Sequence, residues 1–232
     1  MIGSPRVHHR VADSTNQRGK ELAAGGAPHG TVVTADEQTA GRGRQGRVWV
    51  APAGSALLMS VVVRELDERA ALLPLAAAVA VCEAAEALAP VRCAIKWPND
   101  VWVEERKVCG ILVEGRPAEG WAVVGVGLNV RVSEFPPDLA AIATSLSAAA
   151  GVTPTVEEAL RETLVALDRR LRTPAAELLD AWRERDALRG RTIRWNGGEG
   201  VAAGIDDTGA LVVNTPDGTV TLDAGEVHLV LS

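Results

Sequence analysis

Several large functional classes are excluded by what this chain has little of. It carries three cysteines, Cys82, Cys93 and Cys109, an odd count with no C-x-x-C pair and no nearby set of histidines. That rules out a disulfide framework and a zinc site. Met1 to Arg10 lacks the apolar stretch of a secretory signal, so a reducing, cytoplasmic setting is expected. The longest apolar run, Ala70 to Cys82, falls short of the roughly 20 residues that cross a bilayer. Glu83 and Glu86 continue it at helical spacing, which predicts a buried helix and no membrane attachment. Bases are outnumbered, 24 against 30 acids, for a formal charge of −6. The surface as a whole should repel phosphate backbones, and any anion site must be local. No G-x-S-x-G, reactive-cysteine signature, G-K-[ST] or helix-opening G-x-G-x-x-G occurs. His8, His9, His29 and His228 have no partners at a meaningful spacing.

What remains is an ordinary globular composition, 47% hydrophobic and 23% charged over 232 residues, enough for one sizeable domain and a small appendage. Ser14, with Gln17 three residues on, predicts a capped helix ending at Gly25-Gly26. Strands are expected at Thr31 to Ala35 and Ala56 to Val63, then a long helix from about Ala70 to Leu88. Short apolar runs follow at Val91 to Trp97, Val101 to Val103, Val108 to Val113 and Ala122 to Val130. Their spacing suits hairpins in a largely antiparallel or mixed sheet, because a parallel pair needs a longer crossover. Thr155 with Glu158 opens a second helical region, and Thr173-Pro174 another that should end near Leu188. After Gly190 five short strand-like runs are packed into the tail, which predicts a small barrel beyond a boundary near 186 to 190.

Four segments carry chemistry. Gly41-Arg42-Gly43-Arg44-Gln45-Gly46-Arg47 is a local basic loop with no acid between Gln38 and Val50. Glycines expose backbone N–H groups and arginines add bidentate donors, a combination fitted to phosphate or carboxylate. A solvated turn or an RGG-like nucleic-acid segment are the alternatives. In Lys96-Trp97-Pro98-Asn99-Asp100, Pro98 forces a turn that leaves Asn99 and Asp100 as oxygen ligands where a magnesium ion carried by a nucleotide could sit. Lys107 heads the next strand, and Gly110 would let a ligand approach the backbone closely; a plain hairpin is the alternative. Gly125-Val126-Gly127-Leu128-Asn129 places two glycines inside an apolar strand, a mark of ligand contact or of a bulge. Ser14-Thr15-Asn16 offers hydroxyls and an amide that cap a helix or bind a urea-like group.

In this order the segments Asp13 to Asn16, Gln38 to Arg47, Lys96 to Asp100, Lys107 to Glu114 and Gly125 to Asn129 closely resemble the biotin protein ligases. The resemblance implies an α+β fold of the class II synthetase and biotin ligase superfamily: a mixed sheet flanked by helices over 1–188, closed by a small SH3-like barrel over 189–232. It implies ATP and Mg²⁺ as cofactors and biotin as substrate. Biotinyl-5′-AMP would form and pass its biotinyl group to one lysine of a carboxyl carrier domain, such as that of acetyl-CoA carboxylase.

Carried over by motif, Ser14, Thr15, Asn16 and Gln38 should contact the ureido head, while Gly41, Arg42, Gly43 and Arg44 hold the carboxylate and adenylate phosphate. Lys107 and Arg44 should be the catalytic cations, Gly110 and Gly125 should line the pocket, and Trp49, Asn99, Asp100 and Asn129 should serve the nucleotide, with Asp100 toward the metal. The Gly-Arg loop and the segment Arg131 to Ala143 are expected to act as lids. Only about a dozen residues precede Ser14, leaving no room for a winged helix, so no DNA binding is expected. Edge strands could support a homodimer. Lipoate or octanoate ligation on the same fold is the enzymatic alternative. An RNA-binding module is another, opposed by a tail with three bases, six acids and no stacking aromatic beyond Trp195.

Overall fold

Side chains of a strand alternate between its two faces, and in the main sheet the two sets differ in kind. Strand β3 (Ala56–Arg64) sends Leu57, Met59, Val61 and Val63 into the principal core. Leu58, Ser60 and Val62 face the other way. Strand β7 (Trp121–Asn129) does the same with Ala122, Val124, Val126 and Leu128 on the core side. Its opposite face carries Trp121, Val123, Gly125, Gly127 and Asn129. The computed structural model describes residues 2–64, 66 and 68–230. In it, β1 (Arg6–Ala12), β2 (Val32–Gln38), β4 (Cys93–Lys96), β5 (Asp100–Val103) and β6 (Arg106–Arg116) complete a seven-stranded sheet of order β1-β2-β3-β7-β6-β5-β4. Only the β1–β2 pair is parallel, and helix α1 (Thr15–Ala24) is its crossover.

Helix α1 covers β3 and β7 on the glycine-bearing face, while α2 (Leu73–Leu88), α4 (Val156–Arg172) and α5 (Ala175–Arg183) pack on the core side. Eleven of the sixteen residues of α2 are buried, so its apolar composition is that of a core helix. The stretch Ala70–Leu88 is long and apolar enough to cross a membrane by length and composition, and 67% of it lies buried inside this fold. The helix α4 begins with the expected capping box: Thr155 Oγ1 accepts from Glu158 N, and Glu158 accepts from Thr155 N.

Several expectations are corrected. Ser14 is the N-cap of α1, but its side chain makes no cap bond, and Gln17 turns along the helix to Glu21. The strand β1 was not anticipated, nor was α3 (Leu146–Ala150). The regular part of the long helix starts at Leu73, after a short 3-10 turn, and α5 stops at Arg183 rather than near Leu188. The β5–β6 turn is only two residues long. Glu104 and Glu105 both adopt positive φ there, 50° and 61°, a conformation that glycine or asparagine would take more cheaply.

The tail forms a second, antiparallel sheet of order β11-β10-β9-β8-β12, built from β8 (Thr192–Trp195), β9 (Gly198–Ile205), β10 (Leu211–Thr215), β11 (Gly218–Leu222) and β12 (Val227–Leu229). Its inward residues Ile193, Ala202, Ile205, Leu211, Val213 and Val227 join the principal core. Trp97 Nε1 donates to Gly209 O at 3.0 Å, tying the sheet to the β4–β5 turn.

Candidate functional site

A cavity of about 620 Å³ lies on the glycine-bearing face of the main sheet. Its walls are the N-terminus of α1, the Gly-Arg loop, the 131–144 segment and the connection between β11 and β12. Cross-strand register places Gly110 beside Gly127, and Leu112 beside Gly125, so the floor is cleared of side chains in one patch.

One end of the cavity is uncharged and closely hydrogen-bonded. Ser60 Oγ lies 2.8 Å from Thr15 Oγ1 and 2.6 Å from Asn16 Oδ1. Thr15 donates from its backbone N and from Oγ1 to Gln38 Oε1, at 2.7 and 3.2 Å. Asn16 Nδ2 donates to Leu112 O and to Glu114 Oε2 at 2.9 Å, and Lys20 Nζ holds the same carboxylate at 2.6 Å. Burial opposes charge on Glu114, but the bonds from Lys20 and Asn16 outweigh it and hold its carboxyl below the usual range. Gly125 is needed for this packing, because a Cβ there would stand 2.1 Å from Asn16 Oδ1.

The Gly-Arg loop closes on itself through an Arg42–Val48 bridge and Gly43 N to Arg47 O at 2.7 Å. At its base Gly41 has no room for a side chain, since a Cβ would meet Trp49 O at 2.3 Å. Arg44 donates to Asn99 Oδ1 at 3.1 Å and to Gly225 O at 2.9 Å, and Arg47 pairs with Glu226. The loop is thus clasped by the second sheet. Arg42 is directed elsewhere, half-exposed and 3.8 Å from Glu114. Between these arginines, Trp49 lays its ring on the cleared floor: Cβ atoms at Gly110 and Gly127 would come within 2.9 and 2.6 Å of it. The Nε1 of Trp49 is buried with no partner.

At the other end Lys107 Nζ is 2.7 Å from Asp100 Oδ1 and 5.6 Å from the centre of the Trp49 ring. Its backbone bonds to both Ile142 O and Thr144 N, at 2.7 and 2.9 Å, so the 131–144 segment is anchored directly on the lysine. Asn129 also faces this end, but its Nδ2 donates to Thr144 O and pins the same segment. Asn99 does not project as a metal ligand: Nδ2 donates to Ile111 O, and Oδ1 accepts from Arg44. Burial raises the Cys109 thiol, leaving a core filler without nucleophilic character. Bases outnumber acids around the cavity, with Arg42, Arg44, Arg47, Lys96 and Lys107 against Asp100, Glu105 and Glu226. On an acidic protein this is a locally positive site.

The site therefore gathers Ser14, Thr15, Asn16, Gln38, Arg42, Gly43, Arg44, Trp49, Asn99, Asp100, Lys107, Gly110, Gly125 and Asn129 around one cavity, with Gly41 behind them at the loop base. Sequence reasoning missed Ser60, a hydroxyl inside the apolar strand β3, and Glu114, an acid after the apolar run of β6, which strand alternation could have flagged. It also missed Gly225 and Glu226, for which the chain offers no local signal.

A model of the biotin/lipoate A/B protein ligase family matches residues 8–130, and a model of the biotin protein ligase C-terminal domain matches 189–230. The bifunctional ligase/repressor BirA of Bacillus subtilis is 35% identical over 244 residues, covering 99% of this chain and 75% of that protein. A biotin–[acetyl-CoA-carboxylase] ligase of Mycobacterium tuberculosis is 37% identical over 93% of the chain and 86% of its own length. Among solved structures, the biotin protein ligase of Aquifex aeolicus in complex with biotin and ATP superposes with a TM-score of 0.88 at 28% identity, covering 99% of this chain and 100% of that one. The chain belongs to the biotin/lipoate A/B protein ligase family.

Proposed function

We propose that this protein activates biotin with MgATP to biotinyl-5′-AMP and transfers the biotinyl group to one lysine of a biotin carboxyl carrier domain, in a cytoplasmic setting. The observation that carries this reading is a single cavity with two unlike ends. A hydrogen-bonding but uncharged end suits a urea head, and a cationic end suits a carboxylate meeting a triphosphate. Its volume lies within the usual range of small-molecule sites.

The chemistry asks two things of the protein. Bringing a carboxylate to about 4 Å from a phosphate costs about 4 kcal/mol per charge pair at an effective dielectric near 20, so cations have to be in place beforehand. Arg44 and Lys107 are held for that role by Asn99, Gly225 and Asp100. A mixed anhydride is also lost to water, so the site has to close. The Gly-Arg loop and the 131–144 segment are the covers, one clasped by Glu226 and the other tied to the backbone of Lys107. No side-chain nucleophile takes part. The biotin carboxylate attacks the α-phosphorus and pyrophosphate leaves; the acceptor amine then attacks the acyl carbon, loses a proton and expels AMP.

Among the described residues no three His, Cys, Asp or Glu side chains gather as a metal cage. That fits magnesium brought by the triphosphate, an ion that keeps its waters and phosphate ligands and takes one or two carboxylates. Asp100 is the residue that would hold it, and the ion would supply charge neutralisation on the phosphate oxygens. The negative surface supports a ligase without a nucleic-acid partner. A division into 1–188 and 189–232 gives catalysis to the main sheet and leaves the second sheet to clasp the loop, a reading supported by the clasp of Arg44 and Arg47. Incubation with biotin, MgATP and a carrier domain should add one biotinyl group to one acceptor lysine, read by intact mass. An unmodified carrier across acceptors from several carboxylases would reject the reading.

A further inference from the structure

Lys96 ends β4 directly opposite Asp100 in the β4–β5 register, and its ammonium faces the cavity 5.6 Å from the centre of the Trp102 ring. The carboxylates around it are engaged elsewhere. Asp100 pairs with Lys107, and Glu226 pairs with Arg47. Among the described residues Lys96 has neither a hydrogen bond nor an ion-pair partner of its own. Arg44, which lines the same cavity, is held only by neutral oxygens, those of Asn99 and Gly225. Burial pulls both cations below their ordinary pKa, with Asp100 and Glu226 offsetting part of the effect. Two partly buried cations without a carboxylate of their own thus line one cavity, both within the field of Asp100 and Glu226. Such an arrangement favours a multivalent anion that would complete it.

We infer that Lys96 binds the pyrophosphate portion of the nucleotide and, with Arg44, receives the charge that develops there as the α–β bond breaks. The inference rests on the adenylating function proposed above. In the first half-reaction a carboxylate oxygen bonds to the α-phosphorus, the bridging P–O bond breaks, and its electron pair leaves on pyrophosphate. Lys96 faces that leaving group. In the second half-reaction the amine attacks the acyl carbon and AMP departs, so no pyrophosphate is present and Lys96 has nothing to hold. Lys107, beside the reacting carboxyl, should serve both steps.

The test uses the whole chain and its Lys96→Gln and Lys96→Arg variants, with biotin affinity and thermal unfolding as checks on the fold. Loss of a charge-assisted bond should weaken binding of inorganic pyrophosphate, measured by calorimetry on the protein alone, by ~10-fold or more. Adenylate formation should fall by ~10 to 10²-fold, and Lys96→Arg should restore most of it. Transfer from preformed biotinyl-5′-AMP to a carrier domain should stay within about twofold. Equal loss in both half-reactions would overturn the inference in favour of an α-phosphate or structural role, and so would pyrophosphate binding unchanged in Lys96→Gln. Failure of the parent protein to transfer from biotinyl-5′-AMP would overturn the proposed function instead, leaving the pyrophosphate titration to decide on Lys96.

Discussion

The two ends of the cavity are built on opposite plans. Around Thr15, Asn16, Gln38 and Ser60, the protein's own groups satisfy one another over a strand position with no room for a side chain. At the other end Trp49 Nε1 is buried without a partner, Lys96 has no counter-ion among the described residues, and Arg44 is gripped by a loop of the second sheet. A neutral ligand head needs fixed donors and acceptors, which a folded sheet can finish in advance. A polyanion that arrives, breaks and leaves needs charge that stays uncompensated until it comes. The protein leaves that charge on Lys96 and on an arginine held only by neutral oxygens.

This contrast can be broken from either side. The largest effect is expected at Lys107. Lys107→Ala removes a preorganised charge and should slow both adenylate formation and transfer by ~10² or more with the fold intact, and rates from both half-reactions in single-turnover assays check this. Next is Gly125→Ala, whose new methyl would displace the Asn16 amide. Overpacking of this kind costs about 1 to 3 kcal/mol, so biotin binding should weaken by roughly 5- to 150-fold while nucleotide binding holds, as titration of each ligand would reveal.

Ser60→Ala is gentler. It leaves Thr15 and Asn16 in place but removes the hydroxyl between them. A lost buried bond of about 1 to 2 kcal/mol should raise the KM for biotin by ~5- to 30-fold with kcat little changed. An equal rise in the KM for ATP would mean the two ends are not separate. The smallest effect belongs to Glu226→Gln, which weakens a half-exposed pair to Arg47. Pairs of this type are worth up to about 1 kcal/mol, so the adenylate should escape no more than about fivefold faster, measured by chase of labelled intermediate.

The uncharged end is also the more legible. Gly125 and Gly127 two residues apart declare one bare face of a strand, and Ser14-Thr15-Asn16 at a helix start declares a polar rim. Thr155 and Glu158 likewise announced their capping box. The same cap pattern misled at Ser14 and Gln17, because Thr15 and Asn16 bind partners across the sheet and Gln17 has Glu21 one turn on. β1 was missed because its seven residues, RVHHRVA, include two arginines and two histidines and lie on a sheet edge, where no clean alternation is imposed. Asn99, expected as an oxygen ligand, and Asn129, expected to serve the nucleotide, both spend their Nδ2 on backbone carbonyls. The clasp of Arg44 by Gly225 joins residues 181 positions apart, and no local pattern records such a contact.

The most direct measurement is exchange of labelled pyrophosphate into ATP by the purified protein, with biotin, lipoate or octanoate supplied in turn as the acid. Exchange that requires biotin is the expected result, since it needs the urea-binding end and the polyanion end to work on one molecule. Exchange driven by lipoate or octanoate and not by biotin would contradict the reading of the uncharged end, and no exchange with any acid would contradict the account of the cavity as a whole.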